Sequence, residues 1–369
     1  MKASWVLVLA ALGFPAPAPA DEPGERFAPP REGRIYHGVY PGGRSGEEED
    51  ITREDLAAYE EAAGRKAAWV YFSHNWYAGR AFPVRMAEWI RESGAVPFVR
   101  LMLRSNAEQG HAEPVYHVRA ILAGTFDEDL RAWARAAKGF GTPLLAEWGT
   151  EMNGEWFSWN GKWNGAGETR RFGDPDRPDG PERFAAAFRR IVEITRKEGA
   201  ANVSWAFHVN ASDGPAEDWN RFEEYYPGDD VVDWVGVSAY GAQIPPGDGA
   251  TPFREAMDAC VPRIEKMAPG KRVLVLEFGC TRGCPGVDPG EWGRAALADL
   301  LGGRWPTVAG FAWWNEEWEN DDLREHDTNM QLQDVPAIRR AFRESFAAHP
   351  DRVEERPRFE RVPSSGAGD

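Results

Sequence analysis

Short runs of apolar, β-branched and aromatic residues recur along the chain, and between them lie longer stretches in which apolar residues return every third or fourth position. The runs occupy residues 35–40, 68–73, 96–103, 144–149, 203–209, 234–240, 273–278 and 308–314. Their length and composition predict strands. The helical spacing covers 53–63, 84–92, 128–138, 181–198, 252–267, 291–301 and 336–346. Asp127 ahead of Glu128-Asp129-Leu130, and Pro181 answered by Gly199, act as start and stop signals. The fifth crossover is the weakest, since residues 217–226 support only a short helix. Eight strand–helix alternations predict an α/β fold, a (β/α)8 TIM barrel forming a single domain over residues 34–349, because parallel strands need crossovers and eight close around a packed interior. An open doubly wound sheet is the competing architecture. No G-x-G-x-x-G follows the first strand, so its dinucleotide-binding form lacks a signature.

The ends read differently. Met1-Lys2 leads into apolar residues 3–14 and then Ala18-Pro19-Ala20 ahead of Asp21. A charged start, an apolar run too short to span a bilayer and an A-x-A site predict a secretory signal peptide over residues 1–20. The expected location is therefore secreted or periplasmic, with no membrane association after cleavage. A retained single-span anchor, the competing reading, would need about 20 apolar residues. Residues 21–33, rich in Pro, Gly and charge, are expected to form a flexible leader, and residues 350–369 a disordered tail. Export permits a disulfide: Cys280 could close on Cys284, Cys260 could pair with either, or all three could stay free thiols.

Of 369 residues 59 are acidic and 43 basic, a net charge of -16. Such a surface repels polyphosphate, which excludes nucleic acid and anionic membrane as partners and points to a neutral or cationic ligand. The 17 tryptophans exceed what a core alone needs, given that each N–H must be satisfied. They concentrate where the fourth strand runs out, at residues 147–161, EWGTEMNGEWFSWNG. In a TIM barrel the chemistry sits at the C-terminal ends of the strands. Alternation puts Glu147, Gly149 and Glu151 on one face, with Glu151 at the mouth and Glu147 deeper, where Arg100 is its candidate partner. A second acid, Glu277, ends the seventh run, VLVLEFG. Paired carboxylates in an aromatic groove suit glycoside hydrolysis, one protonating the leaving oxygen and the other supporting positive charge at the sugar carbon.

Residues 121–161, ILAGTFDEDLRAWARAAKGFGTPLLAEWGTEMNGEWFSWNG, resemble glycoside hydrolase family 26, the β-mannanase family of the retaining clan A (β/α)8 glycosidases. The likeness rests on a His-Glu-Met-Asn-Gly context for the acid/base and a Glu-Phe-Gly context for the nucleophile. It implies Glu151 as general acid/base and Glu277 as nucleophile, with Tyr240 donating to the nucleophile and an aromatic of the eighth strand flooring the −1 subsite. Of Trp313 and Trp314, alternation lets only one face the mouth, and Trp314 is the choice. The family's histidine before the acid/base, which lies in the sugar site, is Thr150 here, so the two-glutamate chemistry is retained while mannose at −1 is less secure. The implied function is a secreted retaining endo-β-glycanase, expected to be a monomer without cofactor, hydrolysing a neutral β-1,4-linked polysaccharide or oligosaccharide, mannan-type first. A β-1,3/1,4-glucanase, a xylanase or a non-catalytic carbohydrate-binding barrel are the alternatives. Retention predicts carboxyl groups about 5–5.5 Å apart.

Other residues could serve the same groove. Trp156, Trp159 and Trp163 offer flat rings for the C–H faces of sugars, Trp156 first, or are loop anchors. Asn153 is a substrate hydrogen-bonder or an Asx-turn residue. His74 with Trp76, and His208 with Asn210, could bind hydroxyls, or the histidines could be buried and satisfied. No metal site is expected: His111 and His117 lack a partner motif, and the acidic residues 316–322 lack EF-hand spacing and read as a solvated loop.

Overall fold

The computed structural model describes residues 24–43 and 48–362, so the expected signal peptide at 1–20 lies outside the described residues. The strands are β1 (Glu25–Ala28), β2 (Tyr36–Tyr40), β3 (Trp69–Asn75), β4 (Val96–Met102), β5 (Leu144–Trp148), β6 (Val203–Asn210), β7 (Trp234–Ser238), β8 (Val273–Phe278), β9 (Val308–Trp314), β10 (Glu317–Trp318), β11 (Thr328–Asn329) and β12 (Arg358–Arg361). The helices are α1 (Arg53–Ala63), α2 (Val84–Glu92), α3 (Val118–Leu122), α4 (Asp127–Phe140), α5 (Gly161–Asn164), α6 (Asp179–Lys197), α7 (Phe253–Met267), α8 (Pro289–Gly302) and α9 (Pro336–Ala348). Strands β2 to β9 hydrogen-bond in chain order and close into a parallel barrel, so the fourth and seventh barrel strands are β5 and β8. This is the (β/α)8 TIM barrel that the alternation predicts.

Local chemistry sets the helix ends. Thr52 caps α1 by accepting from Asp55 N, while the Asp55 carboxylate accepts from Thr52 N at 2.8 Å. Asp288 accepts from the N–H groups of Gly290 and Glu291 ahead of Pro289 at the start of α8. Between β6 and β7 there are only two 3-10 turns, Asp218–Asn220 and Phe222–Tyr225, where a short helix was the weakest expectation. Residues 316–318 differ from the expected solvated loop, because Glu316 is buried and β10 pairs antiparallel with β11, while residues 319–322 are exposed as expected. Among the described residues no helix is long and apolar enough to cross a membrane.

The floor of the barrel is an indole. Trp69 is fully buried, and a Cβ on Gly38 or Gly310 would approach its ring to 2.1 or 2.6 Å. Two glycines therefore make room for one large ring. The flexible leader and disordered tail need correction over their described parts, since β1 and β12 pair antiparallel beneath the barrel. Phe27 is the reason: it is 2% exposed and packs on Tyr36 at 4.8 Å, Trp234 at 5.5 Å and Trp69 at 6.2 Å between ring centroids. The Tyr36 hydroxyl donates to Ala28 O and accepts from Arg358 N, both at 3.0 Å, which fastens the two strands to β2. Burying one such ring stabilises by about 1.5–3 kcal/mol, which together with the strand pairing and the Tyr36 hydrogen bonds offsets the entropy lost in ordering the segment.

Candidate active site

The first acid is carried past the end of β5 by a turn rather than by the strand. Gly149 has φ 73 and its missing Cβ would lie 2.3 Å from Phe184, so no other residue fits there without displacing that ring. Glu151 follows at φ 46, with its N–H on His208 O at 2.9 Å and its own carbonyl accepting from Gly154 N at 2.7 Å. A non-glycine residue in the left-handed region is uncommon and marks a position held by its surroundings. The Glu151 carboxylate accepts from Trp156 Nε1 at 2.8 Å and Asn210 Nδ2 at 3.1 Å. Period-two alternation therefore predicts the right side for Glu151 by the wrong route.

The second acid ends β8. Glu277 Oε2 accepts from the Tyr240 hydroxyl at 2.9 Å, while Oε1 is buried with no hydrogen-bond partner and lies 3.7 Å from Arg100 Nη2. Burial pushes Glu277 up to about 7; Arg100 and His208 oppose this, and the charges of Glu151 and Glu48 add to it. Burial also holds the Tyr240 hydroxyl well above its ordinary range, with the charges of Glu277 and Glu151 reinforcing it. The Glu151 charge thus reaches Glu277, and both carboxylates act on the same tyrosine, so the tips of β5 and β8 share one mouth. Two such acids with different surroundings can divide proton donation from nucleophilic attack.

Below the mouth lies a buried network. Glu147 accepts from the Tyr71 hydroxyl and from His208 Nδ1 at 2.8 Å, and Arg100 Nε lies 3.8 Å away. The expected Arg100 contact is present, but Tyr71 and His208 are the closer partners. Burial would raise the Glu147 carboxyl, yet His208, Arg100 and Tyr71 together hold it below the ordinary range. Burial would lower His208, and the Glu147 charge and hydrogen bond overcome it. His208 Nε2 meets Ser238 Oγ at 2.8 Å, and Thr150 Oγ1 lies 2.9 Å from Nδ1.

Several candidates are placed away from sugar. His208 and Asn153 are fully buried. Asn153 spends its amide on Asn210 O and Asp213 Oδ1, both at 2.9 Å, and its carbonyl on Asn210 N at 2.8 Å, which fixes the β5 turn to the end of β6. His74 faces outward from β3, because Tyr71, Ser73 and Asn75 take the inner face; its Nδ1 accepts from Trp133 Nε1 at 3.3 Å, and burial lowers it to about 4. Trp76, 2% exposed, packs against Tyr116 and Phe126. Asn210 is half-buried and sits at Glu151 itself. Trp159 is a loop anchor, 3% exposed, donating to Thr150 O and stacked on Phe157; Trp163 and Trp156 stay half-buried. Trp314 is the inward residue of its pair, stacked on Tyr40 at 4.2 Å and edge-on to Tyr71, whereas Trp313 packs against Phe342 outside the barrel. Cys260, Cys280 and Cys284 are buried free thiols, and burial pushes Cys260 and Cys280 up to about 12.

Sequence reasoning missed Glu48, Tyr71, Phe157 and Glu316. Glu48 accepts from Arg100 Nη1 at 2.6 Å and from Ser73 Oγ, and the Arg100 guanidinium lies 5.5 Å from the Phe157 ring centroid. Glu316, 3% exposed, accepts from Tyr40 at 3.1 Å and Trp314 Nε1 at 2.9 Å, and burial with the nearby Glu48 charge pushes it up to about 8. Tyr71 offered a signal, an aromatic on the inner parity of β3; Glu48 and Glu316 lie in acidic runs that look solvated.

Residues 119–261 match the family model for glycosyl hydrolase family 26. The chain is 23% identical over 295 residues to Endoglucanase H of Acetivibrio thermocellus, covering 79% of this chain, and 36% identical over 127 residues to a β-1,3-xylanase of a Vibrio species, covering 34% of it. It spans 29% and 23% of the lengths of those relatives. Among solved structures it superposes on a family 26 β-mannanase from Bacteroides ovatus with a TM-score of 0.60 and 14% identity, covering 88% of this chain and 91% of that one. This likeness concerns the fold. The family-model match lies across the β5 turn and its glutamate, so this stretch of the chain is similar to glycosyl hydrolase family 26.

Proposed function

We propose a secreted, retaining endo-β-glycanase that cleaves β-1,4-linked polysaccharide, with mannan as the first substrate. The observation that carries this reading is the asymmetry around the two acids. Glu277 has one oxygen held by Tyr240 and the other buried without a hydrogen-bond partner, whereas both oxygens of Glu151 accept from neighbours. In this mechanism Glu277 Oε1 attacks the anomeric carbon as Glu151 protonates the leaving oxygen. Glu151 then takes a proton from the water that releases the glycosyl-enzyme. Trp314, fixed by Tyr40 and Glu316, supports the sugar ring from the inner wall, and the half-buried Trp156 positions the Glu151 carboxyl. Export rests on the sequence of residues 1–20 alone.

A β-1,3/1,4-glucan or xylan is the second reading. It is favoured by Thr150, whose hydroxyl turns to buried His208 where the family's mannanases carry a sugar-site histidine. The test is hydrolysis of mannan, lichenan and xylan by wild type and by Glu277→Ala with added azide. Turnover of one polymer by wild type, and a glycosyl azide from the variant, are expected. Absence of wild-type activity on every β-glycan would leave the binding-only barrel instead.

A further inference from the structure

We propose that Glu48 is a positioning residue for the nucleophile: by gripping Arg100, it keeps that guanidinium close to Glu277 but off its attacking oxygen. The inference rests on the glycosidase reading. Arg100 is enclosed, its side chain 5% exposed, and it is shared among three carboxylates. Nη1 is on Glu48 at 2.6 Å, while Nη2 is 3.7 Å from Glu277 Oε1 and Nε is 3.8 Å from Glu147 Oε1. Nε has no hydrogen-bond partner, and neither does Glu277 Oε1. An under-bonded guanidinium beside an under-bonded carboxylate oxygen would ordinarily close on it. The shortest of its contacts goes elsewhere, to Glu48.

Glu48 is itself held. Its φ of 65 is uncommon for a glutamate, and Ser73 secures it twice, donating its N–H to Glu48 O at 2.8 Å and its hydroxyl to the carboxylate. Ser73 is the register partner of Arg100 between β3 and β4, so grip and guanidinium are fixed to adjacent strands. The consequence for the reaction is chemical. A cation at 3.7 Å favours the ionised nucleophile through space, whereas a direct hydrogen bond would occupy the lone pair that must reach the sugar carbon. The other groups facing Glu277 are Glu151 from the β5 turn, His208 from β6, Tyr240 after β7 and Tyr71 from β3, with Tyr40 and Glu316 on the β2 and β9 side of Arg100. None of these is hydrogen-bonded to Arg100.

Glu48→Gln removes the grip and lets Arg100 settle on Glu277. Two readouts follow: the acid limb of kcat/KM on an aryl β-glycoside with a good leaving group, and a carboxyl-carbon NMR titration of Glu277, assigned by its loss in Glu277→Gln. Both midpoints are expected to fall by about one pH unit, the scale of one charge-assisted contact, with a lower plateau kcat. In an Arg100→Met background the same substitution should move them much less. Ser73→Ala, which loosens Glu48 and keeps its charge, should shift them in the same direction by less. Unchanged or raised midpoints would overturn the proposal, as would an equal shift without Arg100, which would make Glu48 a bare charge. Should wild type cleave no β-glycan, the glycosidase reading fails, and the NMR titration still decides whether Glu48 controls Arg100.

Discussion

Tyr240→Phe isolates one hydrogen bond at the centre of the site. The hydroxyl donates to Glu277 Oε2 at 2.9 Å, a donor to a carboxylate in a buried setting. Such bonds contribute about 1.5–3 kcal/mol, and one pH unit corresponds to about 1.36 kcal/mol, so removing it should raise the Glu277 midpoint by about one to two units. The direction follows from the charge state: the hydroxyl stabilises the ionised carboxylate, so its loss makes the proton harder to remove. Attack needs the ionised form, so the acid limb of kcat/KM should move from about 7 toward the alkaline side. At a pH one unit below the wild-type limb, kcat/KM should fall about tenfold or more. The plateau should fall less, because the attacking oxygen is the other one. The assay is a kcat/KM profile on an aryl β-glycoside with a good leaving group, which frees the rate from Glu151. A limb that stays near 7 or moves to lower pH would refute the assignment of Tyr240 as the donor that keeps Glu277 ionised.

Trp156→Phe removes the 2.8 Å donor to Glu151 Oε2 and should lower kcat/KM by about 10- to 100-fold on polysaccharide and less on aryl glycosides with good leaving groups, a split read directly by comparing the two substrates. His208→Leu strips the buried Glu147 of its closest cation and should cost about 3–5 kcal/mol in denaturant unfolding near neutral pH. Because His208 is raised in the fold, its contribution is complete below the ordinary histidine range and is lost as pH rises through its folded value, so the gap between variant and wild type should narrow at alkaline pH; a gap that stays constant would contradict this. Gly38→Ala drives a methyl to within 2.1 Å of the Trp69 ring and should destabilise by about 1–3 kcal/mol in the same assay with little change in kcat.

The barrel was legible because its signal is repeated. Strand runs and helical spacings at 53–63 and 84–92 coincide with β-strands and helices that bury one face each, and eight repetitions leave little freedom in topology. The ends were not legible, because Phe27 is a single apolar residue among Pro, Gly and charge, and its value comes from Tyr36, Trp69 and Trp234, residues distant in sequence. Composition describes what a segment could bury by itself and says nothing about a socket waiting elsewhere.

In the site, the acids were readable and their supports mostly were not. Glu277 ends an apolar strand and Glu151 follows one, so each is an anomaly in its local pattern. His74 and His208 occupy comparable positions near strand tips, yet one points out to Trp133 and the other into Glu147. Parity decides between them, and parity is set by neighbours across the barrel, such as Tyr71 opposite Glu147, which a single sequence does not display. The same reasoning explains why Glu48 and Glu316 were passed over. An acid in an acidic run looks solvated until Arg100 and Tyr40 arrive from other strands to hold it. The mouth gathers Glu48, Glu151, Glu277 and Glu316, with Glu147 beneath, around Arg100 and the raised His208; burial and this crowding of acids together push Glu277 and Glu316 up. The proton inventory of the site is therefore a property of the whole ring of strand tips, and a Glu277 carboxyl pushed up to about 7 follows from burial and that crowding.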